Sequence, residues 1–209
     1  MKNKKKLSIC IPTFNRIHLL DNCLNSIKIA SSKSNLNIEV CISDNHSNEK
    51  INKVVNNYED KLDIKFNRND KNLGLGVNIL KSVSLASGEF AWIIGNDDLL
   101  TENCLSEVEK LFNLNNEIDF FYINSFHLNY SKIKNYEIPF DTKNLKDFKM
   151  KKFSNFNTSK KMNFHNLINP NISFDFLLGM FLCIFRKKYW DQNLDVIDNK
   201  LISDLKTYS

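Results

Sequence analysis

Two carboxylates and an amide, Asn96-Asp97-Asp98, directly follow the apolar run Phe90-Ala91-Trp92-Ile93-Ile94, with only Gly95 between them. An unbroken apolar run of this kind reads as a strand buried on both faces, so the two acids sit at its carboxyl end. Ligands of open α/β sheets bind at that edge, and paired acids there make a hard oxygen site suited to a divalent cation holding a diphosphate. A second reading stays open: the same residues could simply turn the chain and cap a helix starting near Leu99.

The elements that would position these groups come from hydrophobic periodicity. Leu7 to Pro12 reads as a strand that Pro12 ends, followed by the loop Thr13-Phe14-Asn15-Arg16. Leu19, Leu20, Cys23, Leu24 and Ile27 then recur at helical spacing. The pattern repeats with strand Ile38–Ile42, polar loop Ser43–Asn48 and a helix from Ile51 to Tyr58. Ile64-Lys65-Phe66 is a short third strand, and a loop rich in Asn and Gly runs from Asn67 to Gly76. Leu80, Val83 and Leu85 carry a helix that Gly88 is expected to stop. Strand, polar loop and helix in alternation predict a parallel βαβ arrangement of the α/β class. Thr13, Asp44, the Asn72–Gly76 loop and Asp97-Asp98 then share one sheet edge.

Composition sets limits on what else the chain can be. Its 209 residues are 42% hydrophobic and 25% charged, enough for one substantial core and against disorder. The net charge of +5 favours anionic ligands or an acidic membrane surface, without a basic-aromatic stripe that would imply nucleic acid. Cys10, Cys23, Cys41, Cys104 and Cys183 are scattered, odd in number and not at zinc spacing, which reads as reduced thiols of a cytoplasmic protein. No signal peptide is expected, and the apolar segment 174–185 is too short to span a bilayer, so it is expected to be a buried strand or helix.

The set Ser8-Ile9-Cys10-Ile11-Pro12-Thr13-Phe14-Asn15-Arg16, Ser43-Asp44-Asn45, Asn72-Leu73-Gly74 with Asn78, Ser87-Gly88-Glu89 and Gly95-Asn96-Asp97-Asp98 resembles family 2 glycosyltransferases of the GT-A fold. The stretch from Asn72 to Asp98 is similar, more narrowly, to bacterial abequosyltransferase-like enzymes that attach sugars to lipopolysaccharide O-antigen. The resemblance implies a Rossmann-like nucleotide-diphospho-sugar transferase fold, a mostly parallel central sheet flanked by helices. It implies a donor half over residues 1–125 and an acceptor-side half over 126–209. Pro12, Thr13 and Asp44 would hold the nucleotide base, and Asn72, Gly74 and Asn78 would form the segment where backbone approaches the nucleotide. Asp97 would lie near ribose or diphosphate, and Asp98 would coordinate Mn²⁺ or Mg²⁺. Gly95 stands where many relatives have another acid, so cation affinity is expected to be weak until donor phosphates add ligands.

The implied reaction is inverting transfer of a sugar from a nucleotide-sugar donor to an oligosaccharide or lipid-linked glycan acceptor. Its general base would be Asp204 by position, with Asp191 and Asp198 behind it, and each of the three also has a plain reading as a surface carboxylate. The expected setting is cytoplasmic, extending to peripheral association with the inner face of the plasma membrane. Residues 127–165, crowded with Lys, Asn and aromatics, read as a lid, an acceptor lobe or disorder, with Lys149 to Lys152 as a basic cluster. The chain ends at Ser209, before the C-terminal helices such enzymes usually carry. A compact enzyme and a truncated, catalytically inactive nucleotide-sugar-binding module are both compatible with that ending. A nucleotidyltransferase is disfavoured, because no glycine-rich basic loop follows the first strand.

Overall fold

The computed structural model describes residues 5–154, 156–163, 166 and 179–193. Four parallel strands, β1 (Leu7–Thr13), β2 (Ile38–Asp44), β3 (Ile64–Arg68) and β4 (Phe90–Ile93), lie in the order β3-β2-β1-β4. β5 (Phe120–Tyr122) and β8 (Cys183–Arg186) complete a six-stranded sheet, and β8 runs antiparallel between β4 and β5. The sheet therefore draws a strand from far along the chain into its interior. The segment expected as a buried strand or helix supplies that strand at its end; residues 174–178 lie outside the described set.

Side-chain alternation along β1 divides the core. Leu7, Ile9 and Ile11 point to one face and pack with α1 (Ile17–Ser31), α2 (Ile51–Asn56) and α4 (Cys104–Leu114). Cys10 points to the other face and packs with Cys41, Ala91 and Ile93 against Ile79 and Val83 of α3 (Leu75–Ser84). On the first face Phe90 stacks on Phe112 at 4.4 Å, and Phe121 meets both edge-on. The described cysteines are free thiols, three of them buried.

Four local expectations are corrected. β1 continues through Pro12 to Thr13, because the last β1–β4 pair is Cys10 with Ile93 and a proline beyond it forfeits no bond to β4. α3 starts at Leu75, which puts Asn78 in a helix rather than after a loop. Gly88 does not stop that helix, which ends at Ser84. Its place is set by close approach, since a Cβ there would stand 2.6 Å from Ser8 Oγ, and its N–H donates to that hydroxyl. No helix begins near Leu99: α4 starts at Cys104, so Asn96-Asp97-Asp98 turns the chain without capping a helix.

The described residues of the crowded segment after residue 126 build a small lobe. β6 (Phe126–His127) pairs with β7 (Lys151–Lys152), and between them Ile133, Phe140 and Leu145 form a small core that Leu99 joins. Phe140 is gripped by α1 at both backbone groups: its N–H donates to Asn22 Oδ1 at 2.7 Å, and its carbonyl accepts from Asn25 Nδ2 at 3.0 Å. α5 (Lys187–Asn193) follows β8 directly, and its Trp190 stacks on Phe185. No described helix is long and apolar enough to cross a membrane.

Candidate donor site

The carboxyl ends of β1, β2 and β4 open onto a cleft of about 750 Å³. Pro12, Thr13, Arg16, Asn72, Gly74 and Asn96 line it, and Phe14 and Leu75 add exposed apolar surface. Its floor is a lattice of buried amides. Asn78 donates through Nδ2 to the carbonyls of Thr13 (3.2 Å) and Ser43 (3.0 Å), and its Oδ1 accepts from Ser43 Oγ (2.8 Å) and Asn69 Nδ2 (3.0 Å). An amide has two donors and two acceptor positions, so Asn78 is fully used inside the protein. Asn45 is engaged in the same way, with Asn69, Asn72, Leu73 and Gly74. These amides supply partners to buried backbone groups at the strand ends, such as the Thr13 and Ser43 carbonyls.

Gly74 opens α3 with φ 81°, a conformation that favours glycine, and its N–H donates to Asn72 Oδ1. No side chain caps that helix and no acid lies in its first turn. Backbone N–H groups at such an end suit an anion, and Arg16 and Lys71 stand on the same cleft. Asn15 and Arg16 both adopt the left-handed conformation, at φ 55° and 59°. The neighbouring loop holds them there: Asn15 N–H donates to Ser47 Oγ at 2.6 Å, and Asn48 N–H donates to Asn15 Oδ1 at 2.9 Å.

Asn96 joins the two sides of the site by donating to Thr13 Oγ1 at 2.9 Å. Asp97 is exposed and stands 3.5 Å from the Arg16 guanidinium, whereas Asp98 turns inward to accept from Gly95 N–H at 2.6 Å. A Cβ on Gly95 would lie 2.5 Å from Asp97 Oδ1 and 3.2 Å from Asp98 Oδ2, so glycine there leaves room for both carboxylates to converge. Burial, and secondarily the Asp97 charge, push Asp98 up to about 6, against the Gly95 N–H bond that favours its charged form. A cation between the acids would relieve that repulsion, which is how the pair fits a divalent metal. Among the described residues no group of three or more His, Cys, Asp or Glu side chains is placed to hold one, so further ligands would have to come from donor phosphates or water.

The structure brings Pro12, Thr13, Asn72, Gly74 and Asn78 onto the cleft, while Asp97 and Asp98 lie on the turn after Asn96, Asp97 reaching the cleft through Arg16 and Asp98 bonded to Gly95 N–H. Asp44 is fully buried beside them, with Oδ1 accepting from Ser47 N–H and Oγ and Oδ2 paired with Arg68 at 2.5 Å. Asp191 is not brought to the cleft. It pairs with Lys187 at 2.6 Å, whose N–H bonds Glu89 at the start of β4, the sheet edge opposite Asp97. The physical reason is the antiparallel run of β8, which sets Arg186 opposite Phe90 and carries α5 away from the cleft. Arg186 there lies over the Phe90 ring at 4.5 Å and binds Asp119 and Glu89. Asp198 and Asp204 lie outside the described residues. Sequence reasoning overlooked Asn69, Arg68 and Ser47 as site-building residues; only their polar character at strand ends and in the loops beyond could have signalled them.

A polar cleft at the carboxyl edge of a mostly parallel sheet with helices on both faces, beside an uncapped helix start, defines an α/β protein with its ligand edge at the strand ends. Residues 8–180 match Glycosyl transferase family 2, and the chain belongs to that family. It is 45% identical over 104 residues to the abequosyltransferase RfbV of Salmonella typhimurium, a match covering 48% of this chain and 30% of that protein. It is 33% identical over 111 residues to the GalNAc(5)-diNAcBac-PP-undecaprenol beta-1,3-glucosyltransferase of Campylobacter jejuni, covering 52% of this chain and 35% of that protein. The chain thus spans about a third of the length of these relatives. The crystal structure of S. aureus TarS 1-349 superposes with a TM-score of 0.67 at 20% identity, over 90% of this chain and 49% of TarS, which establishes a shared GT-A fold.

Proposed function

We propose that this chain forms the donor site of an inverting glycosyltransferase that moves a sugar from a nucleotide diphosphate to a bacterial surface glycan, with a divalent metal at Asp97 and Asp98. The observation that carries this reading is the Asn96–Thr13 bond, which couples the paired acids to the strand end where a nucleotide would lie. Phe14 and Leu75 offer apolar surface to a base or ribose, and the open start of α3 with Arg16 offers charge and N–H groups to the diphosphate. Asn45 and Asn78 act as positioning residues, since their own amides are consumed. Asp44 serves the base indirectly, by fixing the Ser47 turn and Arg68. A bound Mn²⁺ or Mg²⁺ would supply Lewis-acid stabilisation of the departing diphosphate.

The Campylobacter jejuni relative is named for an undecaprenol-linked substrate, which supports an acceptor that is a lipid-linked surface glycan met at the inner face of the plasma membrane. The test is calorimetry with UDP, GDP, CDP and dTDP, with and without Mn²⁺, followed by release of the nucleoside diphosphate from the matching sugar nucleotide. UDP heads the panel because a TarS crystal structure holds it. Metal-dependent binding to one nucleotide, abolished by Asp98→Ala, supports the reading; binding unchanged by that substitution removes the metal site. A second reading, a donor-binding module without transfer, is favoured by the placement of Asp191 on the opposite edge. It predicts binding with no release in the presence of acceptor.

A further inference from the structure

Charge is segregated in this molecule. Residues 126–161 hold nine lysines, no arginine and three acids, a net +6, whereas the whole chain carries +5. All nine lysines are exposed. Among the described residues only Lys161 of the nine has an ion pair, with Glu117. In the α/β body the pattern is different: Lys5, Lys6, Lys65, Lys187, Arg68 and Arg186 each hold an acid. The lobe therefore displays cations that the protein itself does not neutralise.

This display is held in place. Asn22 and Asn25 clamp Phe140, and the Ile133, Phe140 and Leu145 core anchors the turns that carry Lys143, Lys146 and Lys149. The same lobe exposes apolar surface: Phe126, Tyr130, Tyr136 and Ile138 are between 41% and 51% accessible. Exposed aromatic and aliphatic side chains among unpaired lysines combine the two forces that hold a protein to an anionic bilayer, shallow apolar burial and diffuse attraction to headgroups. Lysine without arginine favours that diffuse attraction over the bidentate phosphate contacts that read nucleic acid.

We propose that the 126–161 lobe is a docking surface for an anionic lipid membrane. Leu99, next to Asp98, packs into the lobe core, and α1 runs from the cleft loop to the Phe140 clamp. Docking through this lobe brings the donor cleft to the bilayer, where a lipid-linked acceptor would be met; that consequence rests on the proposed function, whereas the docking itself does not.

The experiment is co-sedimentation of the full chain with vesicles of phosphatidylcholine alone or with 30% phosphatidylglycerol, beside nucleotide calorimetry on the same protein without vesicles. Binding is expected only with phosphatidylglycerol, is largely lost when salt is raised from about 0.1 to 0.5 M, and falls about tenfold or more in Lys143→Glu/Lys146→Glu/Lys149→Glu. Tyr130→Ser/Ile138→Ser, which keeps the charge, weakens binding without changing its salt dependence. An unchanged melting temperature and nucleotide affinity certify that the variants fold. No binding to anionic vesicles, binding indifferent to the lysine changes, or binding to polyuridylate in place of vesicles would each overturn the proposal. Failed nucleotide binding with intact vesicle binding would instead count against the donor site.

Discussion

Replacing Asn78 by the isosteric aspartate should harm this protein more than truncating it to alanine. Asn78 is 2% exposed and its Nδ2 feeds two carbonyls, of Thr13 and Ser43, at 3.2 and 3.0 Å. Alanine removes four hydrogen bonds, yet Thr13 O retains Asn45 N–H at 2.8 Å and Asn69 Nδ2 retains Asn45 Oδ1 at 3.2 Å. Only part of the lattice is left unpaired, which at about 1–3 kcal/mol per orphaned buried group predicts a loss of about 2–4 kcal/mol. Aspartate keeps the shape but turns a buried carboxylate oxygen toward two carbonyl oxygens, adding the penalty of an unpaired buried charge. Asn78→Asp should therefore be less stable than Asn78→Ala at pH 7, with the gap narrowing in acid as the carboxyl is protonated. Urea unfolding at pH 7 and pH 4 measures both. Asn78→Asp matching the unsubstituted protein in stability would refute the claim that this side chain serves as a double donor between strand ends.

Glu39 gives a pH prediction. Burial opposes its charge, but hydrogen bonds from Ser8 and Ser87 and the Lys65 ammonium outweigh that and hold it at about 2 instead of the usual 4.5. A depressed carboxyl contributes stability that is whole above about pH 4.5 and disappears as pH falls toward 2, here about 3 kcal/mol. Acid titration of stability should show that loss in the unsubstituted protein and not in Glu39→Gln. Asp98 has the opposite shift, so protons should compete with Mn²⁺: calorimetric affinity for the Mn²⁺–nucleotide pair is expected to fall as pH drops through about 6, and Asp98→Asn should lose both the affinity and its pH dependence. Gly95→Ala would press a methyl group against Asp97 and Asp98; the metal-dependent thermal shift should shrink while the apo melting temperature stays nearly constant.

What the chain encodes locally was legible in residue order. The alternation of apolar runs with polar loops placed β1 to β4 and the helices between them, because side-chain period depends only on neighbours along the chain. The turn chemistry at Asn72-Leu73-Gly74 and Gly95-Asn96-Asp97-Asp98 located the cleft for the same reason, since only particular residues tolerate those bends and aim polar groups past a strand end. Tertiary structure alone decided which of those polar groups remain free. Asn78 and Asn45 look available in sequence and are spent on partners tens of residues away. The strand at Cys183–Arg186 enters the sheet antiparallel, and that single choice of neighbour sends Asp191 to the far edge. Phe140 is unremarkable in a segment without period, yet two asparagines on α1 make it the anchor of a small lobe. Strand order and hydrogen-bond partners are contests among distant segments, settled only when the whole core has packed.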